Sequence, residues 1–292
     1  MLGTFLAVLD HVEQVRDAAT TDDALRRVAL RTLPALARTM VRGRTRSTTR
    51  GFLTATAGRT WETLHQTFGG IARDFGLWVV SGSALLPRNA LGDRSPVFAP
   101  LPGQAGSRVY NTSFTFDPTG RCVDVVRKVN LVPTQEDVLD LSPGRLSDLD
   151  VVQTPFGVLG TVICYDGFRE PHTSGEPGWA RCLPVLDQLG AQVVAQPSAN
   201  AWAWDAPWYF NDAASGEHQL RSEQWFAEGS AAELPGLVNV RYVVNPQLVG
   251  RVFDNVFEAP SLILERTPNG TAVRARAADP RGEDVLHVRA TL

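Results

Sequence analysis

Apolar side chains recur at helical spacing through residues 5–42, with Phe5, Val8, Leu9 and Val12 on one stripe and Leu25, Val28, Ala29, Leu33, Leu36 and Ala37 on another. Asp22 and Asp23 stand where acidic side chains favour a helix N-terminus, and Pro34 is placed to kink the second helix. From 43 to 60 the chain is rich in Gly, Arg, Thr and Ser and reads as a loop. A third helix is expected from Trp61, Leu64, Phe68, Ile71, Ala72 and Phe75, with Gly76 as its cap.

After Gly76 the period changes. Runs of β-branched and aromatic residues mark strands at 77–83, 109–116, 121–128, 150–155 and 158–164. The tetrapeptide Asp117-Pro118-Thr119-Gly120 has the form of a type I turn, which makes 109–128 a hairpin. A helix from about Pro177 to Leu189, ending at Gly190, leads into a strand at 191–197, and strand, helix, strand in that order implies a crossover. Later strands are read at 237–244 and 261–265, with 267–270 turning into a last one. Residues 85–108 read as a surface loop. The class is α/β with mixed sheets.

Composition narrows the partners. A net charge of −3, with one local basic cluster at 38–50, gives no electrostatic basis for binding nucleic acid. No apolar run approaches the roughly 18 residues that cross a bilayer, and the N-terminal stretch turns acidic by Asp10 and Glu13, so a soluble, cytoplasmic protein is expected. Three cysteines without a CxxC spacing speak against a disulfide framework and against a cysteine-based metal site.

Dinucleotide, P-loop, zinc-protease and serine-hydrolase signatures are missing, and the five histidines show no ligand spacing. What remains is a cysteine, a lysine and carboxylates. Cys164 ends a strand and enters a turn at Asp166-Gly167, at a sheet edge where α/β proteins form sites. Lys128 ends another strand, and Glu136 follows it beyond Pro133. An ammonium could stabilise a thiolate or an oxyanion while a carboxylate moves protons. On residue types alone, an inert buried thiol and a surface lysine is the plainer reading.

Taken together, these segments resemble the carbon-nitrogen hydrolase (nitrilase) superfamily. Lys128, Leu131, Pro133 and Glu136 are similar to the family's lysine motif, and "TPFGVLGTVICYD" is similar to its nucleophile motif. "YNTSFTFDPTG" and "VVAQPSANAWAW" resemble the segments that precede the lysine and border the substrate pocket, so the likeness runs in order from about 61 to 275. The resemblance implies a four-layer αββα sandwich of two mixed sheets flanked by helices, paired as a homodimer or higher homo-oligomer. It implies hydrolysis of a non-peptide C–N bond in a small amide, nitrile or carbamoyl substrate, with no metal or organic cofactor. Cys164 would form a thioester, Lys128 would stabilise the charged intermediate with the backbone N–H of Tyr165, and Glu136 would position substrate or assist proton transfer. Asn200 and Trp202 are the expected substrate contacts; Trp202, Trp204, Trp208 and Trp225 line a pocket or pack the core.

The family's general-base glutamate stands in a hydrophobic-Pro-Glu context for which this sequence offers no match before Lys128; Glu13 and Glu62 have helical settings. The expectation is a helical segment at 1–60, read as an insertion or remnant, followed by a hydrolase domain at 61–292 that lacks the first strand-helix-strand unit. The competing reading is a catalytically inactive relative acting as a binding or assembly subunit.

Overall fold

A computed structural model describes residues 12–20, 23–24, 26–27, 33–34, 37–38, 40–41, 46–87, 108–136, 139–211, 218–252 and 254–292. The stripe positions Phe5, Val8, Leu9, Leu25, Val28, Ala29 and Leu36 lie outside them, as does most of the loop expected at 85–108. The chain divides into two compact units, 1–144 and 145–292.

In the first unit, α1 (Val12–Val15) precedes the long helix α2 (Thr48–Leu64), which continues through a π-turn (His65–Gly69) into α3 (Gly70–Phe75). The helix therefore begins well inside the segment read as a loop, and it runs across residue 60, where a domain boundary was expected. Its local composition is weak, but Ser47 caps it by accepting from Arg50 N at 3.2 Å. Leu53, Ala57, Trp61 and Leu64, three and four apart, are all buried. Packing on one face overrides a low propensity. Gly76 ends α3 in the left-handed conformation, as expected.

That face rests on a four-stranded antiparallel sheet. Its central strand β3 (Val109–Phe116) pairs on one side with β1 (Val79–Val80) and β2 (Ala84–Pro87), and on the other with β4 (Cys122–Arg127). β2 occupies the start of the segment read as a loop; its register, Leu85 opposite Asn111 and Leu86 opposite Tyr110, is set by a partner distant in sequence. The break between β1 and β2 is held by Ser81, which donates from its backbone N to Phe114 O at 2.8 Å and accepts from Ser113 Oγ at 2.8 Å. Trp61 sits 4.8 Å from the Phe114 ring, sealing helix to sheet. The turn between β3 and β4 closes as predicted, Gly120 N donating to Asp117 O at 2.8 Å. There the helix and hairpin meet backbone to backbone: a Cβ on Gly120 would stand 2.6 Å from Gly69 O.

The second unit is built on a mixed sheet of order β14-β13-β9-β7-β6-β5. β5 (Val151–Thr154) and β6 (Gly157–Thr161) form a hairpin; β6, β7 (Val193–Ala195) and β9 (Tyr242–Asn245) run parallel. The predicted crossover helix is α4 (Leu183–Gln188), shorter than expected at its start. It lies so close to β6 that a Cβ on Gly160 would come 2.9 Å from Leu186 Cδ1. A second crossover carries α5 (Arg221–Glu228) and α6 (Ser230–Glu233), neither legible in the hydrophobic pattern. Both parallel strands β7 and β9 break at prolines, Pro197 and Pro246, and resume as the short pair β8 (Ser198–Ala199) and β10 (Gln247–Leu248). β11 (Gly250–Val252) and β12 (Asn255–Phe257) form a small ribbon, and β13 (Leu262–Thr267) with β14 (Gly270–Arg276) completes the antiparallel flank. Among the described residues, no helix is long and apolar enough to cross a membrane.

Candidate active site

Each unit carries one group of the expected residues. In the first unit, Lys128 follows β4 and is held by its backbone on both sides: its N donates to Asn111 O at 2.8 Å, and its carbonyl accepts from Gly144 N at 2.7 Å. Gly144 admits no side chain there, since a Cβ would stand 2.5 Å from Arg127 O. Glu136 returns toward the lysine because Thr134 adopts a left-handed φ of 64° and Glu136 N closes a turn on Val132 O at 2.9 Å. Its carboxylate pairs with Lys128 Nζ and accepts from Val132 N at 2.9 Å and from Asn111 Nδ2 at 2.7 Å. The lysine is therefore not a surface residue; its side chain is 2% exposed. A buried ion pair survives only when hydrogen bonds satisfy its remaining atoms, and Asn111 and Val132 supply them for the carboxylate.

In the second unit, Cys164 opens a 3₁₀ turn (Cys164–Gly167) beyond the end of β6. Its φ is 51°, in the left-handed region that disfavours any residue with a Cβ, at a cost of about 1–2 kcal/mol. The surroundings enforce that conformation. Cys164 N donates to Pro197 O at 3.0 Å, and Cys164 O accepts from Gln196 Nε2 at 2.8 Å. Sγ is half-buried and lies 3.9 Å from Ala199 O, a long contact for so weak a donor. The two other thiols differ: Cys182 is fully buried, and Cys122 lies on β4 in the other unit.

Because both mutations below delete the thiol and differ only in Cβ, they isolate the strain. Cys164→Gly is expected to be more stable than Cys164→Ala by about 1 kcal/mol in thermal unfolding. Equal stability would mean that the backbone relaxes once the sulfur is gone.

The sequence profile of a family described as carbon-nitrogen hydrolase matches residues 6–170, more than half of the chain. The chain belongs to this family. No curated protein matches the chain. Among solved structures, a carbon-nitrogen hydrolase from Helicobacter pylori G27 is 15% identical with a TM-score of 0.52, covering 77% of this chain and 66% of that one. This likeness establishes a shared nitrilase-type α/β fold. An amidase from Nesterenkonia sp. AN1 is 19% identical with a TM-score of 0.47, over 76% of this chain and 66% of its own. The chain thus spans just under two thirds of the length of these structures.

The remaining expected residues fall differently. Tyr165 is buried; its hydroxyl donates to Glu176 Oε2 at 2.9 Å, and its ring stacks on His172 at 3.8 Å. Asn200 is 0% exposed, and its amide is fully engaged: Nδ2 donates to Trp202 O at 2.7 Å and Glu258 O at 2.6 Å, while Oδ1 accepts from Arg221 Nε at 2.8 Å. That pattern fixes a loop and a cation and leaves no amide hydrogen for a ligand. Trp204, Trp208 and Trp225 are buried, and Trp202 is half-buried with its ring edge-on to Trp208 at 5.0 Å. Sequence reasoning missed Asn111, Gln196 and Arg221. Asn111 and Gln196 lay inside segments already compared with the family but were not singled out; Arg221 carries no local signal, since an Arg at a helix start is an ordinary surface choice. Among the described residues, no cluster of His, Cys, Asp and Glu could hold a metal.

Proposed function

We propose that the chain hydrolyses a non-peptide C–N bond of a small amide, nitrile or carbamoyl substrate through a thioester on Cys164. The observation that carries this reading is the strained Cys164 turn, a nucleophile elbow in which a partly buried cysteine is held at a φ of 51° beyond a strand end. In the amide case, Sγ attacks the carbonyl carbon, the tetrahedral intermediate collapses with cleavage of C–N, and the protonated amine leaves. Water then attacks the thioester, and the carboxylic acid departs as the thiolate returns. The reading gives Lys128 the countercharge of the oxyanion, and Glu136 the alignment of Lys128 and the handling of protons. Family membership supports the reaction class, and the buried Lys128–Glu136 pair supports the charge roles. A homo-oligomeric assembly belongs to the same proposal.

The test treats the folded protein with iodoacetamide at neutral pH and maps the label by mass spectrometry, alongside ammonia release from a panel of short amides. Cys164 is expected to label faster than Cys122 and Cys182, with amide turnover lost in parallel. Labelling of Cys164 no faster than the other two would sink the activated-nucleophile reading. Fast labelling without turnover of any panel member would favour the binding or assembly role.

A further inference from the structure

Arg221, the first residue of α5, is 2% exposed. Its guanidinium is walled by aromatic rings, 3.9 Å from the Trp208 centroid, 4.8 Å from Trp225, 5.2 Å from Trp202 and 5.8 Å from Phe168. Two of its nitrogens are spent on neutral amides, Nε on Asn200 Oδ1 at 2.8 Å and Nη1 on Gln224 Oε1. Among the described residues, Nη2 has no acceptor, and no carboxylate stands within ion-pairing distance of the group. Glu228 reaches it only through Gln224, whose Nε2 donates to the Glu228 carboxylate. Burial lowers the guanidinium to about 9, so it is a cation at neutral pH.

A buried cation without an anion is costly, and contact with the rings offsets only part of that cost. What the site lacks is one negative charge along one edge of a planar group. A carboxylate has that shape and charge: it lies in the plane of a guanidinium and accepts from its edge. A phosphate needs several donors, and the rest of this enclosure consists of ring faces. The rings grade from buried Trp208 and Trp225 to half-buried Trp202 and then to exposed Tyr209, 6.5 Å from Trp202, so an apolar wall leads from the cation to the surface. The segment that holds the cation also meets the cysteine. Ala199 O lies 3.9 Å from Cys164 Sγ, and the next residue, Asn200, accepts from Arg221 Nε.

We infer that Arg221 binds a carboxylate on the substrate, so that the amide this chain takes is an acidic one, with a short apolar spacer between its carboxylate and the scissile C–N bond. The carboxylate binds ionised and leaves with the product, and no covalent bond at Arg221 forms or breaks. The inference rests on the thioester reading for the reaction, but the preference for a carboxylate can be measured without turnover.

The experiment uses the full chain carrying Cys164→Ala, which holds an amide without cleaving it, and follows binding by tryptophan fluorescence at neutral pH. The probes are glutaramate and pentanamide, which has a methyl group where glutaramate has its carboxylate. Glutaramate is expected to bind at least about tenfold more tightly, the size of one charge-assisted hydrogen bond. Adding Arg221→Met should bring the ratio of affinities to about one, and Arg221→Lys should recover part of it, since an ammonium keeps the charge but not the planar edge. Equal or absent binding of the two probes overturns the inference, as does a preference that persists in folded Arg221→Met. Where the Arg221 variants fail to fold, Trp208→Phe decides: it removes the indole nearest the guanidinium and should diminish the fluorescence change caused by glutaramate. An undiminished change places the carboxylate elsewhere and overturns the inference. Ammonia release by the wild-type chain separates the two readings. Hydrolysis of both amides with the same kcat/KM would remove the carboxylate site and leave the thioester reading standing. Arg221-dependent binding of glutaramate with ammonia released from neither probe would leave the carboxylate site and remove amide hydrolysis.

Discussion

Lys128→Met should lower the stability of the protein by about 3–5 kcal/mol, because it strands the Glu136 carboxylate in the interior with Asn111 and Val132 as its remaining donors. Glu136→Leu should cost a similar amount by leaving a buried ammonium. The double variant is expected to lie much closer to wild type than the sum of the two, since replacing both members by apolar groups removes the unpaired charge as well as the attraction. Urea unfolding of the four proteins measures the coupling, and simple additivity would show that the pair is not an interacting unit. The same set separates structure from chemistry. If Lys128 carries the oxyanion charge, the double variant folds yet turns over no amide, whereas a purely structural pair would leave turnover in the refolded double variant.

The order of elements was readable wherever local chemistry and burial agree. β3 is buried along its whole length and was placed at its true bounds, and the Asp117–Gly120 turn could be named because Pro and Gly stand where a type I turn wants them. α2 was misread at 48–60 because Thr, Arg and Gly weaken its propensity, while its stabilising face, Leu53, Ala57 and Trp61, has meaning only against a sheet contributed by later residues. β2 was hidden for the same reason: its pairing with β3 is long-range. The site divided similarly. Motif spacing put Lys128, Glu136 and Cys164 forward as candidates, but the burial of the lysine, the φ of the cysteine and the aromatic enclosure of Arg221 are tertiary facts. Asn200 illustrates the limit: residue type suggested a polar contact, and only the three partners of its amide show that it is already spent on Arg221, Trp202 and Glu258.

Gly167→Ala should be the most damaging single-methyl change in the second unit. A Cβ at 167 would stand 2.1 Å from Gln196 Nε2, 2.4 Å from Gln196 Cδ and 2.6 Å from Ser230 Oγ. A long side chain can usually swing away from such an intrusion, but Gln196 is 1% exposed, its Nε2 donates to Cys164 O, and its Oε1 accepts from Ser230 Oγ. Ser230 is tied to the turn as well, its Oγ standing 3.1 Å from Gly167 O. Relief of the clash therefore breaks the hydrogen bond that locks the strained Cys164 backbone. Overpacking of this kind costs about 1–3 kcal/mol, and loss of the lock should slow Cys164 alkylation and amide turnover about a hundredfold, as small misplacements of a reacting group do. Gly58→Ala is the control: nothing lies within 4 Å of a Cβ there, and the position is inside α2, so the substitution should be neutral or slightly stabilising. Thermal unfolding and the alkylation rate together read the result. A stable Gly167→Ala protein whose Cys164 reacts at the wild-type rate would show that Gln196 is free to move and that the elbow holds its shape without it.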